Sequence, residues 1–104
     1  MSVFPSWAET VQFSPAHPVP TVLLDSDELK VVLVGLEPGQ VLPEHPAPAA
    51  VFHVLDGTGT VTVDGVSAEV GPGATITVPS GARRGWQAGT RLVFLGSLGN
   101  PSAE

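Results

Sequence analysis

The chain contains no cysteine among its 104 residues. That absence excludes disulfides, thiolate metal ligands and cysteine nucleophiles together. Positive charge is also scarce: Lys30, Arg83, Arg84 and Arg91 are the only cations against ten acids, and the net charge is −6. Proteins grip a phosphate backbone through clustered positive charge, so nucleic acid is not an expected partner. No apolar run approaches the roughly 18 residues that a membrane span requires, and no membrane partner is expected. The N-terminus, MSVFPSWAET, lacks a basic segment followed by an apolar one, so the expected location is the cytoplasm. Long amphipathic helical periodicity is missing too. No spacing suggests a Ser, His and Asp constellation, and no phosphate-cradling loop occurs.

What is present is a foldable, turn-rich chain. Hydrophobic residues make up 42% and charged ones only 13%, a balance opposite to that of disordered segments. The length suits one domain with one core. Gly at 12 and Pro at 11 fit many tight turns. Short β-rich segments are predicted at 21–24, 29–36, 50–55, 60–63, 66–70, 74–78, 84–87 and 91–97, with turn signals about every 8 to 12 residues. Asp64-Gly65 is a strong hairpin signal. In Thr60-Val61-Thr62-Val63 and Thr75-Ile76-Thr77-Val78 the apolar residues alternate with threonines, which assigns them to one face. Both faces of Leu92-Val93-Phe94-Leu95 are apolar, as in a strand covered on each side. The fold class is all-β. Residues 1–20 read as an N-terminal arm, 21–98 as a barrel and 99–104 as a loose tail. Within the arm, Ser6-Trp7-Ala8-Glu9 fits a capping box, and three prolines argue against a central strand. Phe4, Trp7 and Phe13 could cover the arm's own domain or a neighbour's.

Two stretches carry a family resemblance. Gly39, five residues and His45 begin the first, which closes at Asp56-Gly57; Gly73, five residues and Pro79-Ser80-Gly81 form the second. At this separation they resemble the two motifs of the cupin superfamily over residues 29–97. The resemblance implies a jelly-roll barrel, also called a double-stranded β-helix. In metal-bearing cupins the first motif supplies two histidines and a glutamate, and the second supplies a further histidine. Here His45 fills the first of those places, and Ala47 stands in the second. The glutamate place falls at Ala50 counted back from Gly57, or at Val51 or Phe52 counted forward from Ala47. Arg84 occupies the histidine place of the second motif, and Ala88 the asparagine place. A catalytic metal site generally needs three protein ligands, and a fixed cation repels a divalent ion. No metal cofactor is therefore expected.

The candidate site follows from this framework. By resemblance His45 enters the barrel mouth, as ligand, acid or base, or hydrogen-bond partner, or else it only packs. Arg84 would hold an anion in a bidentate fork, pair with Glu44 or another acid, or stand as a plain solvated charge. Trp86 shares the face of Arg84 and, with Phe52 and Phe94, could line a pocket. Strand parity turns His53 away from Phe52 and Val54, toward packing or an interface, unless a bulge reverses it. His17 has no evident role. The leading expectation is a small-molecule binder, with anionic ligands included, lined by His45, Arg84, Trp86, Phe52 and Phe94. The alternatives are a divalent-metal cupin enzyme of dioxygenase or isomerase type using His45 and His53 or Glu44, and a structural or regulatory barrel with a filled interior. The resemblance implies pairing through sheet edges and N-terminal arms, and this arm carries aromatics that need cover, so a homodimer is expected.

Overall fold

The computed structural model describes residues 1–100, so the end of the expected tail, 101–104, lies outside the described residues. A single helical turn, α1 (Trp7–Thr10), precedes nine strands. They are β1 (Val19–Asp25), β2 (Leu29–Leu36), β3 (Val41–Pro46), β4 (Ala50–Asp56) and β5 (Gly59–Val63). There follow β6 (Val66–Val70), β7 (Thr75–Val78), β8 (Arg83–Ala88) and β9 (Leu92–Gly99). One sheet runs β1-β2-β9-β4-β7 and the other β3-β8-β5-β6. The sequence expectation of an all-β jelly roll is met. Gly99 ends β9 rather than opening a loose tail.

The core lies between the sheets, where alternation sends one apolar set from each strand inward. Leu36, Val54, Val61, Leu92 and Phe94 are all buried there. Removing such a side chain from water contributes roughly 1.5–3 kcal/mol each. Asp64 and Gly65 have φ of 46° and 80°, the positive pair that a two-residue hairpin turn requires.

β3 is the strand that sequence patterning misses. Pro43 and Pro46 interrupt it, and prolines are poor ladder donors. The strand forms because it lies at the edge of its sheet, paired on one side only, with β8.

The arm covers its own domain. Phe4, Trp7 and Thr10 lie over Leu33, Leu55 and Leu95 on the outer face of the five-stranded sheet. That contact explains why both faces of β9 are apolar. Further along the arm, Gln40 Nε2 donates to the Ser14 carbonyl (2.7 Å), and the Arg91 guanidinium stands 4.2 Å over the Phe13 ring. Arg91 also pairs with Glu37 at 2.6 Å. The expected capping box closes only in part, since Ser6 makes no side-chain cap bond and Glu9 N–H donates to the Ser6 carbonyl instead.

Candidate functional site

The interior of the barrel holds a cavity of about 270 Å³ near His45. Val32, Val34, Phe52, Phe94 and Leu98 line it from one sheet, and Leu42, Trp86, His45 and Arg84 from the other, with Pro20 at the rim. Only His45 and Arg84 among these carry polar side-chain atoms besides the Trp86 indole N–H. A larger groove beneath the arm, about 570 Å³, is lined by no titratable side chain.

An aromatic cluster forms one wall. Trp86 and Phe94 stack with centroids 4.1 Å apart and planes 11° from parallel. Phe52 meets both edge-on, at 5.4 Å from Trp86 and 5.5 Å from Phe94. Such pairs add about 0.5–1.5 kcal/mol beyond burial and hold the rings in fixed orientations. Trp86 is buried, yet its indole N–H donates to no protein group among the described residues. Gly96 faces inward between Val32 and Phe52, and a Cβ there would sit 2.9 Å from the Phe52 ring, so the ring takes the space a side chain would need.

His45 reaches the cavity through a β-bulge. Leu42 pairs with Trp86 and His45 with Arg84, so three steps along β3 answer two along β8. Regular alternation from the inward Leu42 would turn His45 outward; the extra residue turns it back. Gly85 makes the bulge possible, because a Cβ there would lie 2.9 Å from both Glu44 N and Leu42 O. His45 itself is exposed at the mouth, with Nδ1 3.0 Å from the Pro43 carbonyl. A carbonyl can only accept, so Nδ1 carries the proton and Nε2 is the nitrogen left for a ligand.

Arg84 is 2% exposed. Its Nη1 donates to the Pro48 carbonyl (2.7 Å), and Nη2 to those of Ala47 and Ala82 (2.9 Å each) and, at 3.5 Å, Pro79. Nε donates to Ala82 as well (3.2 Å). The guanidinium thus ties the β3–β4 loop to the β7–β8 turn through backbone oxygens. The salt bridge to Glu44 considered from sequence does not form. Burial pushes the Arg84 guanidinium below its ordinary value, and the charge of Asp64 opposes that shift.

The other candidates fall elsewhere. Phe52 and Phe94 join Trp86 at the cavity, as described. His53 is exposed on the outer face, its Nδ1 3.2 Å from Thr75 Oγ1, and does not meet His45. Arg83 points out, its Nη2 donating to the Glu44 carbonyl (2.9 Å). His17 is exposed in the arm, with Nδ1 2.9 Å from the Pro18 carbonyl. The carbonyl role of Arg84 was not legible, because its acceptors are main-chain atoms that any residue could supply.

Residues 32–95 match the family model of the cupin domain. The chain belongs to the cupin family. Solved structures agree in fold. A double-stranded β-helix protein from Klebsiella pneumoniae superposes with TM-score 0.88 at 21% identity, over 100% of this chain and 95% of that one. A conserved protein of unknown function from Streptococcus pyogenes gives 0.86 at 22%, covering 97% and 90%. A cupin from Desulfovibrio desulfuricans gives 0.85 at 24%, covering 95% and 96%. A comparison with curated proteins finds no match.

Cupin barrels commonly hold a divalent metal, and the residues present here do not fit one. Among the described residues no three His, Asp or Glu side chains gather as a ligand set. Ala50, at one of the glutamate places, is a buried methyl, and a guanidinium occupies the second motif's histidine place. Among the described residues no helix is long and apolar enough to cross a membrane.

Three substitutions test this geometry. Arg84→Met should cost about 3–5 kcal/mol in chemical denaturation, because buried carbonyls lose their charged partner. Arg84→Lys should recover little of it, since one ammonium cannot reach carbonyls on both loops; full recovery would show that charge alone suffices. Gly85→Ala should lose about 1–3 kcal/mol through the forced contact at the bulge, and should displace the His45 ring resonances by NMR. Unchanged His45 resonances would separate the bulge from the histidine's orientation.

Proposed function

We propose that this cupin binds a small, largely apolar organic molecule inside the barrel, without a metal. The cavity beside His45 carries the reading: it is interior, walled by fixed aromatic rings, and carries its polar groups at a few defined points. Its size suits about ten non-hydrogen atoms, judged against the roughly 30 Å³ share of a water molecule. His45 Nε2 is the group free to orient such a molecule. The same cavity weighs against a barrel filled by its own side chains. A metal-dependent enzyme would need ligands beyond His45, and His53 lies on the opposite face of the sheet.

The reading has a direct test. Freshly purified protein should contain no stoichiometric transition metal by elemental analysis. Small aromatic and aliphatic compounds of the stated size should raise its melting temperature, and Val32→Phe, which fills the cavity, should abolish the rise while the protein stays folded. Stoichiometric metal removed by His45→Ala would replace this reading with the enzymatic one.

A homodimer belongs to the same proposal. β1 is an edge strand, and Val22 and Leu24 on it are 52% and 46% exposed. Met1 and Phe4 of the arm adjoin Leu24 and Val31, extending an apolar surface beside unpaired backbone groups. A second copy of the chain, meeting β1 with its own β1, would cover both. Light scattering should give a dimer mass that Leu24→Lys converts to monomer; a wild-type monomer at all concentrations would remove the dimer.

A further inference from the structure

The charge inside the barrel is unbalanced. Arg84 is 2% exposed and lines the cavity, yet among the described residues no carboxylate pairs with it, and the ion pair that does form joins Arg91 to Glu37 at the surface. Its carbonyl partners supply dipoles and satisfy N–H groups, but they carry no net charge. A buried cation without a counter-charge is costly, and any anion brought to it from outside recovers part of that cost. Asp64 is the acid whose charge acts on Arg84, and its Oδ1 already accepts from Arg83 N–H at 2.8 Å.

His45 adds a second constraint. It is the direct cross-strand partner of Arg84, so the two polar groups sit together at one end of an otherwise apolar cavity. With Nδ1–H donating to the Pro43 carbonyl, a neutral ring presents the bare lone pair of Nε2. A carboxylate facing that lone pair would be repelled. The conflict disappears if Nε2 takes up a proton, giving an imidazolium–carboxylate pair whose anion also faces Arg84. Where the free imidazole is neutral, that arrangement takes up one proton from solvent.

We infer that the ligand is a small monocarboxylic acid, its apolar body against Phe52, Trp86 and Phe94 and its acidic group between His45 Nε2 and Arg84. The inference rests on the proposed ligand-binding role and names the class of molecule bound. An amine of the same skeleton would bring a second cation beside Arg84. An amide would bring no charge and leave Arg84 unbalanced.

The test uses two skeletons of about ten non-hydrogen atoms, each as acid, amide and amine. These are phenylacetate, phenylacetamide and phenethylamine, then octanoate, octanamide and octylamine. Calorimetric titration of the intact protein should show the acid binding at least about tenfold tighter than its amide, with no binding of the amine. Repeating the acid titration at pH 8 in buffers of different ionisation enthalpy should give about one proton taken up per ligand. His45→Ala should remove that uptake. Amide binding equal to acid binding, or acid binding without proton uptake, overturns the acid assignment while leaving a neutral-ligand cavity in place. If neither skeleton binds in any form, the ligand-binding role fails and this inference fails with it.

Discussion

A guanidinium cut off from water needs partners for its donors, and at the mouth of this barrel the main chain supplies most of them. Arg84 gathers carbonyls from Ala47 and Pro48 on one side and from Pro79 and Ala82 on the other. Those residues belong to the two cupin motifs, which a metal ion would otherwise link through side chains. Here the link is covalently part of β8, and it works through main-chain oxygens. The loop after β3, rich in alanine and proline, has few side-chain means of fixing itself. Its shape therefore depends on a charge contributed by the neighbouring strand, β8.

The position of His45 depends on a second local constraint, the bulge in β3. Without the extra residue the imidazole would face solvent on the outer side of the sheet, and Arg84 would be the one titratable side chain at the cavity. The bulge presses the backbone of Leu42 and Glu44 against Gly85, where a side chain would collide. Two neighbouring positions of β8 thus have opposite tasks: Gly85 yields space on the outside, and Arg84 fills it on the inside. Trp86, next in the alternation, begins the aromatic wall.

Much of the fold was legible from alternation and turns. Strands with clean apolar periodicity formed close to their expected bounds, Asp64-Gly65 made its hairpin, and parity correctly turned His53 outward. β3 was not legible, because Pro43 and Pro46 deny it the usual signature and only its edge position tolerates them. The inward turn of His45 came from family resemblance; the bulge that produces it leaves no pattern in composition. For Arg84, sequence weighed an anion fork against an ion pair or a solvated charge. None of these included a cage of main-chain oxygens, which depends on where two loops end in space. The arm was ambiguous for a related reason, since exposed aromatics say that something is covered without saying whose surface it is.

Gly96 bears on the aromatic wall from behind. It lies between Val32 and Phe52, and a Cβ there would sit 2.9 Å from the Phe52 ring. Phe52 in turn meets Trp86 and Phe94 edge-on, so a side chain on β9 at this position would displace a ring that two others hold in place. The orientation of the whole wall is therefore kept partly by an atom that is missing. Larger residues here would not trim the cavity by degrees; they would rearrange its lining at the first step.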